Sequence, residues 1–271
     1  MSDYNNWLIE QDMGIFWLKL NRLDKMNSFS AEVATELDEI LQGFLTNPEI
    51  RVLILSSNSD HFFSAGADID WFIAIDGEQA EDVSVRCHDI FGRLEQMPFP
   101  VIAAIKGLCL TAGLELSICA DIIYAAENAK FGQIETVYGI TPGGGGTQRL
   151  ARLIGPNRAK ELIFSARVIG AEEADKIGLI NAVFPLEGFD AKINRIARKM
   201  TVNCKEAIAR SKRLVNEATF TSESGFRSEE IAFNESFASG EPRDRLSHFK
   251  KQQERERKRK ERKLRRAQKA D

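Results

Sequence analysis

Two glutamates, Glu115 and Glu135, sit in segments rich in small and apolar residues. Glu115 lies in GLCLTAGLELSICAD (107–121), where a helix beginning near Ala112 presents unpaired amides at its first turn, together with the positive end of its dipole. Such amides stabilise an oxyanion or enolate without any charged side chain. A glutamate in that first turn fits this chemistry, and it fits simple compensation of the dipole as well. Glu135 lies in AKFGQIETVYGITPGGGG (129–146), after a strand-like run and before a Tyr-Gly loop. A carboxylate in a partly apolar stretch with few charges is suited to carrying and handing over a proton; an exposed loop glutamate is the plain alternative. Two more segments offer backbone rather than side chains. In HFFSAGADI (61–69), Gly66 between alanines lets a ligand approach closely, so that the Ala67 amide can face a negative oxygen; an ordinary tight turn uses the same residues. The helix start at Pro142–Gly146 supplies a second set of free amides, for water or anionic charge, or else permits close packing of a helix on a sheet.

Positioning these groups requires alternating elements. Residues 14–20 (GIFWLKL) and 51–56 (RVLILS) read as strands, and between them Val33, Leu37, Ile40, Leu41 and Phe44 share one helical face that ends at Asn47-Pro48. A second helix carries Val83, Cys87, Ile90, Phe91 and Leu94. The runs VIAAI (101–105) and DIIYAA (121–126) read as further strands on either side of the short helix from Ala112. AEEADKIGLI reads as a short helix running into a strand, and 189–219 and 224–239 as further helices. Strand–helix–strand alternation predicts an α/β fold in layers.

Composition narrows the function. The chain has 271 residues, 43% of them hydrophobic, enough for one large core with or without a helical appendage. The glycine run Gly143–Gly146 is followed by Thr147 and Gln148, so it satisfies neither the P-loop nor the G-x-G-x-x-G pattern. There is no G-x-S-x-G elbow and no H-E-x-x-H. Cys87, Cys109, Cys119 and Cys204 form no C-x-x-C pair, which argues against a zinc site and predicts small core residues in a reducing compartment. His61 and His88 have no evident partner and read as structural or surface residues, and Asp121 as a hydrogen-bonding residue. With no basic-then-apolar leader in MSDYNNWLIEQD and no run long enough to span a membrane, a cytoplasmic protein is expected.

Taken in order, FSAGADI, GLELSICADIIYAAENAKFGQIE, ITPGGGGTQRLARLIG and ADKIGLINAVFP resemble the motifs of the enoyl-CoA hydratase/isomerase (crotonase) superfamily, with weaker echoes at LNRLDKMNSFS (20–30). The resemblance implies a crotonase-type spiral of stacked ββα units over residues 1–188, a C-terminal helical oligomerisation region over 189–249, and a basic charged tail over 250–271. It implies an oxyanion hole from the amides of Ala67 and Ala112, catalytic carboxylates at Glu115 and Glu135, and a Gly143 amide that places substrate and water. It puts CoA against Lys25, Met26, Ala65, Asp68 and Ile69, with Asn21 in the same flanking segment and Lys25 as a phosphate contact. The expected reaction is reversible addition of water to a 2-enoyl-CoA thioester. It needs no cofactor, since coenzyme A is part of the substrate, and no metal. A homotrimer or homohexamer is the implied assembly. Ala112 stands where the family most often has Gly, and Ile134 where Pro is frequent. The departures bear on the acyl pocket and on the placement of Glu135, and so on the substrate.

Alternatives within the family are double-bond isomerisation, which needs one proton-shuttling carboxylate, and hydrolysis of a CoA ester or ring. The pair of glutamates favours the hydratase. A different class of reading comes from charge: residues 250–271 carry 12 Lys/Arg against 4 Asp/Glu, and the rest of the chain 25 against 36. Such a tail could bind nucleic acid, but Glu254, Glu256 and Glu261 interrupt it and aromatics are absent, so a solvated charged helix is the favoured expectation.

Overall fold

The computed structural model describes residues 4–219 and 223–267. The chain opens with an antiparallel pair, β1 (Trp7–Asp12) and β2 (Ile15–Leu20), then α1 (Ala31–Thr46). Ser30 caps α1 by accepting from the Val33 amide, and the buried face is Val33, Ala34, Leu37, Ile40, Leu41 and Phe44, the spacing that predicted it. From here the chain winds alternately through two sheets. β3 (Val52–Ser57) enters the first sheet and β4 (Phe62–Ser64) the second, followed by α2 (Ile69–Ala74) and α3 (Gly77–Glu95). β5 (Val101–Ile105) and β6 (Leu108–Leu110) repeat the step and lead to α4 (Ala112–Ser117). β7 (Ile122–Ala126) and β8 (Lys130–Gly132) repeat it again and lead to α5 (Gly146–Ile154) and α6 (Pro156–Ser165). β9 (Ile169–Gly170), α7 (Ala171–Lys176) and β10 (Ala182–Phe184) close the series. The sheets run β1-β2-β3-β5-β7-β10 and β4-β6-β8-β9. This is the α/β spiral of ββα units that the sequence led us to expect.

Burial explains why β3 and β5 lack a polar face. Leu53, Leu55, Val101, Ala103 and Ile105 point into the main core with α1 and α3, whereas Val52, Ile54, Ile102 and Ala104 point the other way. That second side is covered by Phe189, Ile193 and Ala197 of α8 (Phe189–Thr201). Alternation with period two places successive side chains in two separate cores, so both strands read as continuous apolar runs. Each fully buried Leu or Ile contributes roughly 1.5–3 kcal/mol.

Three helices complete the chain: α9 (Lys205–Thr219), α10 (Glu223–Ala238) and α11 (Glu241–Ala267). Phe233 and Phe237 of α10 and Leu246 of α11 pack with Ile75, Ala80 and Ile140 in a third apolar cluster. α11 continues through residue 250 as one helix, so the basic segment begins partway along it. Among the described residues no helix is long and apolar enough to cross a membrane.

Some local expectations change. The helix after Pro142 starts at Gly146, with Gly145 at its N-cap at φ 102°, so Pro142–Gly144 form a preceding loop. Cys204 is exposed rather than part of the core. His88 does have a partner: its Nδ1 lies 3.2 Å from Glu230 Oε1. Asp121 is a hydrogen-bonding residue as expected, its Oδ2 accepting from the Val101 amide (2.7 Å) and from Lys212 Nζ (2.8 Å).

Candidate active site

The two glutamates arrive at one chamber from different turns of the spiral. Glu115 is the fourth residue of α4, buried at 4% exposure. Its carboxylate leaves its own helix and crosses to the loop before α5, where Oε1 accepts from the amides of Gly144 and Gly146, each at 2.9 Å. The approach depends on glycine: a Cβ on Gly144 would lie 2.7 Å from Glu115 Oε2, and one on Gly146 2.8 Å from Oε1. Buried Arg149 braces this loop from behind. It donates to the Gly144 carbonyl at 3.1 Å and to Glu95 Oε2 through Nε and Nη2. Burial pushes the Glu95 carboxyl above its ordinary range, even with the Arg149 guanidinium beside it.

Glu135 opens a short 3-10 turn, Glu135–Tyr138, directly after β8. It is 8% exposed, and Oε1 accepts from Gln133 Nε2 at 2.6 Å. Gln133 is fully buried and fixes the orientation of that carboxylate. It stood in plain sight two residues before Glu135, and the sequence reading gave it no role.

Ala67 and Ala112 meet across the same space. Ala67 follows the Gly66 turn, which pairs with the loop after β2: the Phe29 amide donates to the Gly66 carbonyl at 2.7 Å, and the Asp68 amide to Phe29 O at 2.8 Å. The Ala67 amide donates to Thr111 Oγ1 at 3.2 Å. Ala112 is the first residue of α4. A small chamber of about 40 Å³ is lined by Ala67, Ala112, Glu115, Glu135, Gly143 and Gly144, with apolar walls from Phe29, Trp71, Phe72, Val83 and Phe233. It has room for on the order of one water, whose share of the liquid is ~30 Å³. Phe233 of α10 presses on Gly143, where a Cβ would come within 2.4 Å of its ring. Nothing in the local pattern of α10 announces this aromatic wall.

Ala67, Phe72, Thr111 and Glu135 also line an outer cleft of about 430 Å³, so the two spaces adjoin. Lys25, Met26, Ala65, Asp68 and Ile69 all line the outer cleft, joined by Tyr138 and by Phe249 and Lys250 of α11. Asn21 does not line it; its side chain accepts from Asn58 instead, at 2.9 Å. At the rim, Asp70 pairs with Lys250, and Lys25 Nζ lies 3.6 Å from its Oδ2, so two ammonium groups gather there. The Asp68 carboxylate is already engaged: Oδ2 accepts from Arg22 Nη1 at 2.6 Å, and Oδ1 from the Asp70 and Trp71 amides at the start of α2. Burial alone would raise its pKa, but the Arg22 guanidinium and the two amides outweigh burial and hold it below the usual range.

Size alone does not choose the site. A cleft of about 1040 Å³ lies between α3, α5, α9 and α10, walled by charged side chains such as Glu95, Arg149, Lys212 and Arg227. Neither site glutamate nor the glycine-loop amides reach it. Among the described residues no group of three or more His, Cys, Asp or Glu is arranged to hold a metal ion.

The sequence profile of the Enoyl-CoA hydratase/isomerase family matches residues 10–259. The chain is 36% identical over 247 residues to a crotonyl-CoA hydratase of Syntrophomonas wolfei, covering 91% of this chain and 95% of that one. It is 34% identical over 250 residues to a short-chain-enoyl-CoA hydratase of Clostridium acetobutylicum, with 91% and 95% covered. The crystal structure of an enoyl-CoA hydratase from Bacillus anthracis superposes with a TM-score of 0.77 at 35% identity, over 86% of this chain and 90% of that one. Motifs, spiral and full-length similarity agree: the chain belongs to the enoyl-CoA hydratase/isomerase family of enzymes.

Proposed function

We propose that the protein is a hydratase, adding water reversibly to the double bond of a short 2-enoyl-CoA. The observation that carries this reading is the pair of buried carboxylates, Glu115 and Glu135, on a chamber of one-water size that also receives the Ala67 and Ala112 backbone. The thioester oxygen binds at the amides of Ala67 and Ala112. Attack at Cβ moves charge onto that oxygen, and hydrogen-bond donors there stabilise it; losing one such donor costs roughly 2.7–4 kcal/mol in other enzymes. Water sits between the carboxylates, one of which takes its proton while Glu135 delivers a proton to Cα. The reverse reaction uses the same groups in the opposite order. Two tethered carboxylates favour hydration over double-bond isomerisation, for which one shuttling group suffices.

The outer cleft takes the CoA arm. Lys25 and Lys250 lie at its rim, where phosphate charge would replace Asp70 as their partner. Asp68 serves this cleft as an architect of the loop, since its carboxylate is committed to Arg22 and α2. Short acyl groups fit the aromatic closure by Trp71, Phe72 and Phe233, and two relatives are named for crotonyl and short-chain substrates. No cofactor is required beyond the CoA carried by the substrate, and a homotrimer or homohexamer in the cytoplasm is the working assembly.

A panel of acyl-CoA thioesters of increasing length, followed for water addition, double-bond migration and free CoA release, tests this reading. Water addition with kcat/KM highest for the four-carbon 2-enoyl ester and falling with length is expected. Isomerisation or CoA release without hydration would overturn it.

A further inference from the structure

Thr111 immediately precedes α4, where a threonine ordinarily turns its hydroxyl onto the amides of its own helix. Here it makes no such bond. Its hydroxyl turns instead to Ala67, accepting from that amide at 3.2 Å. The backbone is held to φ 45°, ψ −119°, a conformation that β-branched residues avoid. It is pinned on both sides, by the Thr111 amide on the Gly132 carbonyl and the Glu115 amide on the Thr111 carbonyl, each at 2.9 Å. Gly66 makes room: it sits at φ 106°, and a Cβ there would lie 2.0 Å from Thr111 Oγ1. Thr111 lines both the inner chamber and the outer cleft. A hydroxyl has one proton to give and two lone pairs to offer. One lone pair is taken by Ala67, and among the described residues the proton reaches no acceptor.

We propose that Thr111 is a catalytic residue: its hydroxyl accepts the one proton of the Ala67 amide and itself donates to the thioester oxygen beside Ala112, so that Ala67 acts on the substrate through Thr111. This rests on the acyl-CoA reading of the site. The oxygen bound beside Ala67 and Ala112 is the missing acceptor for the Thr111 proton. Because the hydroxyl is itself hydrogen-bonded by an amide, its own donation is strengthened. The bond tightens as negative charge develops on the oxygen, so it acts on the transition state more than on binding. No atom is transferred; the hydroxyl keeps its proton throughout.

The test compares the full-length wild type with Thr111→Val, which keeps the branched shape, and Thr111→Ser, which keeps the hydroxyl. Steady-state hydration of a four-carbon enoyl-CoA is measured, together with the infrared carbonyl stretch of bound butyryl-CoA carrying ¹³C at the thioester carbon. The expected result is a kcat about tenfold or more lower in Thr111→Val, with KM moved much less, and a carbonyl shift to low frequency that shrinks in Thr111→Val and returns in Thr111→Ser. A Thr111→Val enzyme with kcat within twofold of wild type, or with a larger carbonyl shift and raised kcat/KM, overturns the proposal; the second result would make the hydroxyl a competitor of the substrate. If Thr111→Val does not fold, Thr111→Ser decides: loss of the carbonyl shift with the hydroxyl still present overturns the donor role, and its retention with near-wild-type kcat supports it. Failure of the wild type itself to bind butyryl-CoA would bring down the acyl-CoA reading, and this proposal with it.

Discussion

Glu115 illustrates how a residue can be legible in the sequence while its physical task is not. Its place near the start of a short helix was readable, and compensation of that helix's own dipole was the plain alternative to a catalytic role. The carboxylate instead reaches the Gly144 and Gly146 amides, a contact 29 and 31 residues away in the chain that no local pattern encodes. Gly144→Ala should therefore act through Glu115. Its methyl group would sit 2.7 Å from Oε2 and 2.9 Å from Phe91, and overpacking of this kind costs typically about 1–3 kcal/mol. Hydration is expected to fall at least tenfold while circular dichroism stays native; wild-type kcat in that variant would mean that the carboxylate does not need this seat. Asp68 was read as a backbone contact to CoA, and its carboxylate has a separate task, holding Arg22 and capping α2. Its lowered pKa makes it a source of stability that is complete above the unfolded value near 3.9 and is lost as pH falls through the folded one. Asp68→Asn should cost about 1–3 kcal/mol at pH 7 in urea melts, and the gap from wild type should be smaller at pH 3. An equal gap at both pH values would show that charge plays no part.

At the scale of elements, strands and amphipathic helices were readable because their periodicity is local: VIAAI is β5 residue for residue, and α1 shows the face that its spacing demanded. Which sheet each strand enters was not readable from periodicity, since β4, β6 and β8 are only three residues each. That knowledge came from motif resemblance. The C-terminal helices were expected to hold subunits together; in the structure they help to build the candidate site. Phe233 walls the chamber, and Phe249 with Lys250 lines the cleft. From Glu254 to Lys263 α11 is exposed throughout. Truncation after Gln253 should leave kcat and the thermal midpoint nearly as in the full chain, and raise KM for CoA esters only slightly. The rise should vanish at high salt, because the lost groups attract phosphate from a distance. A salt-independent collapse of kcat would place the distal helix in the catalytic machinery, and tight salt-resistant RNA binding that disappears with it would favour the nucleic-acid reading.

For the whole molecule, several large apolar side chains near the C-terminal helices are exposed. Leu214 is 57% exposed and Val215 63%, both on α9, and Val202 just before it is 82% exposed. Exposed apolar side chains of this size on a charged protein are candidates for burial against further copies. Light scattering at micromolar concentration should return the mass of three or six chains, and Leu214→Glu combined with Val215→Glu should shift it toward one. A stable wild-type monomer with full activity would contradict the assembly.

The central claim is that two carboxylates divide the proton work of hydration, and removing them one at a time tests it most directly. Glu115→Gln and Glu135→Gln preserve volume and can still accept or donate a hydrogen bond, but neither can take a proton from water. The decisive measurement is single-turnover hydration of a four-carbon enoyl-CoA by each variant, alongside its Kd for butyryl-CoA. The account predicts that each variant slows the chemical step by two or more orders of magnitude while Kd stays within a few-fold of wild type. Near-wild-type water addition by Glu115→Gln would contradict it and leave Glu135 as a lone shuttle, the arrangement of an isomerase.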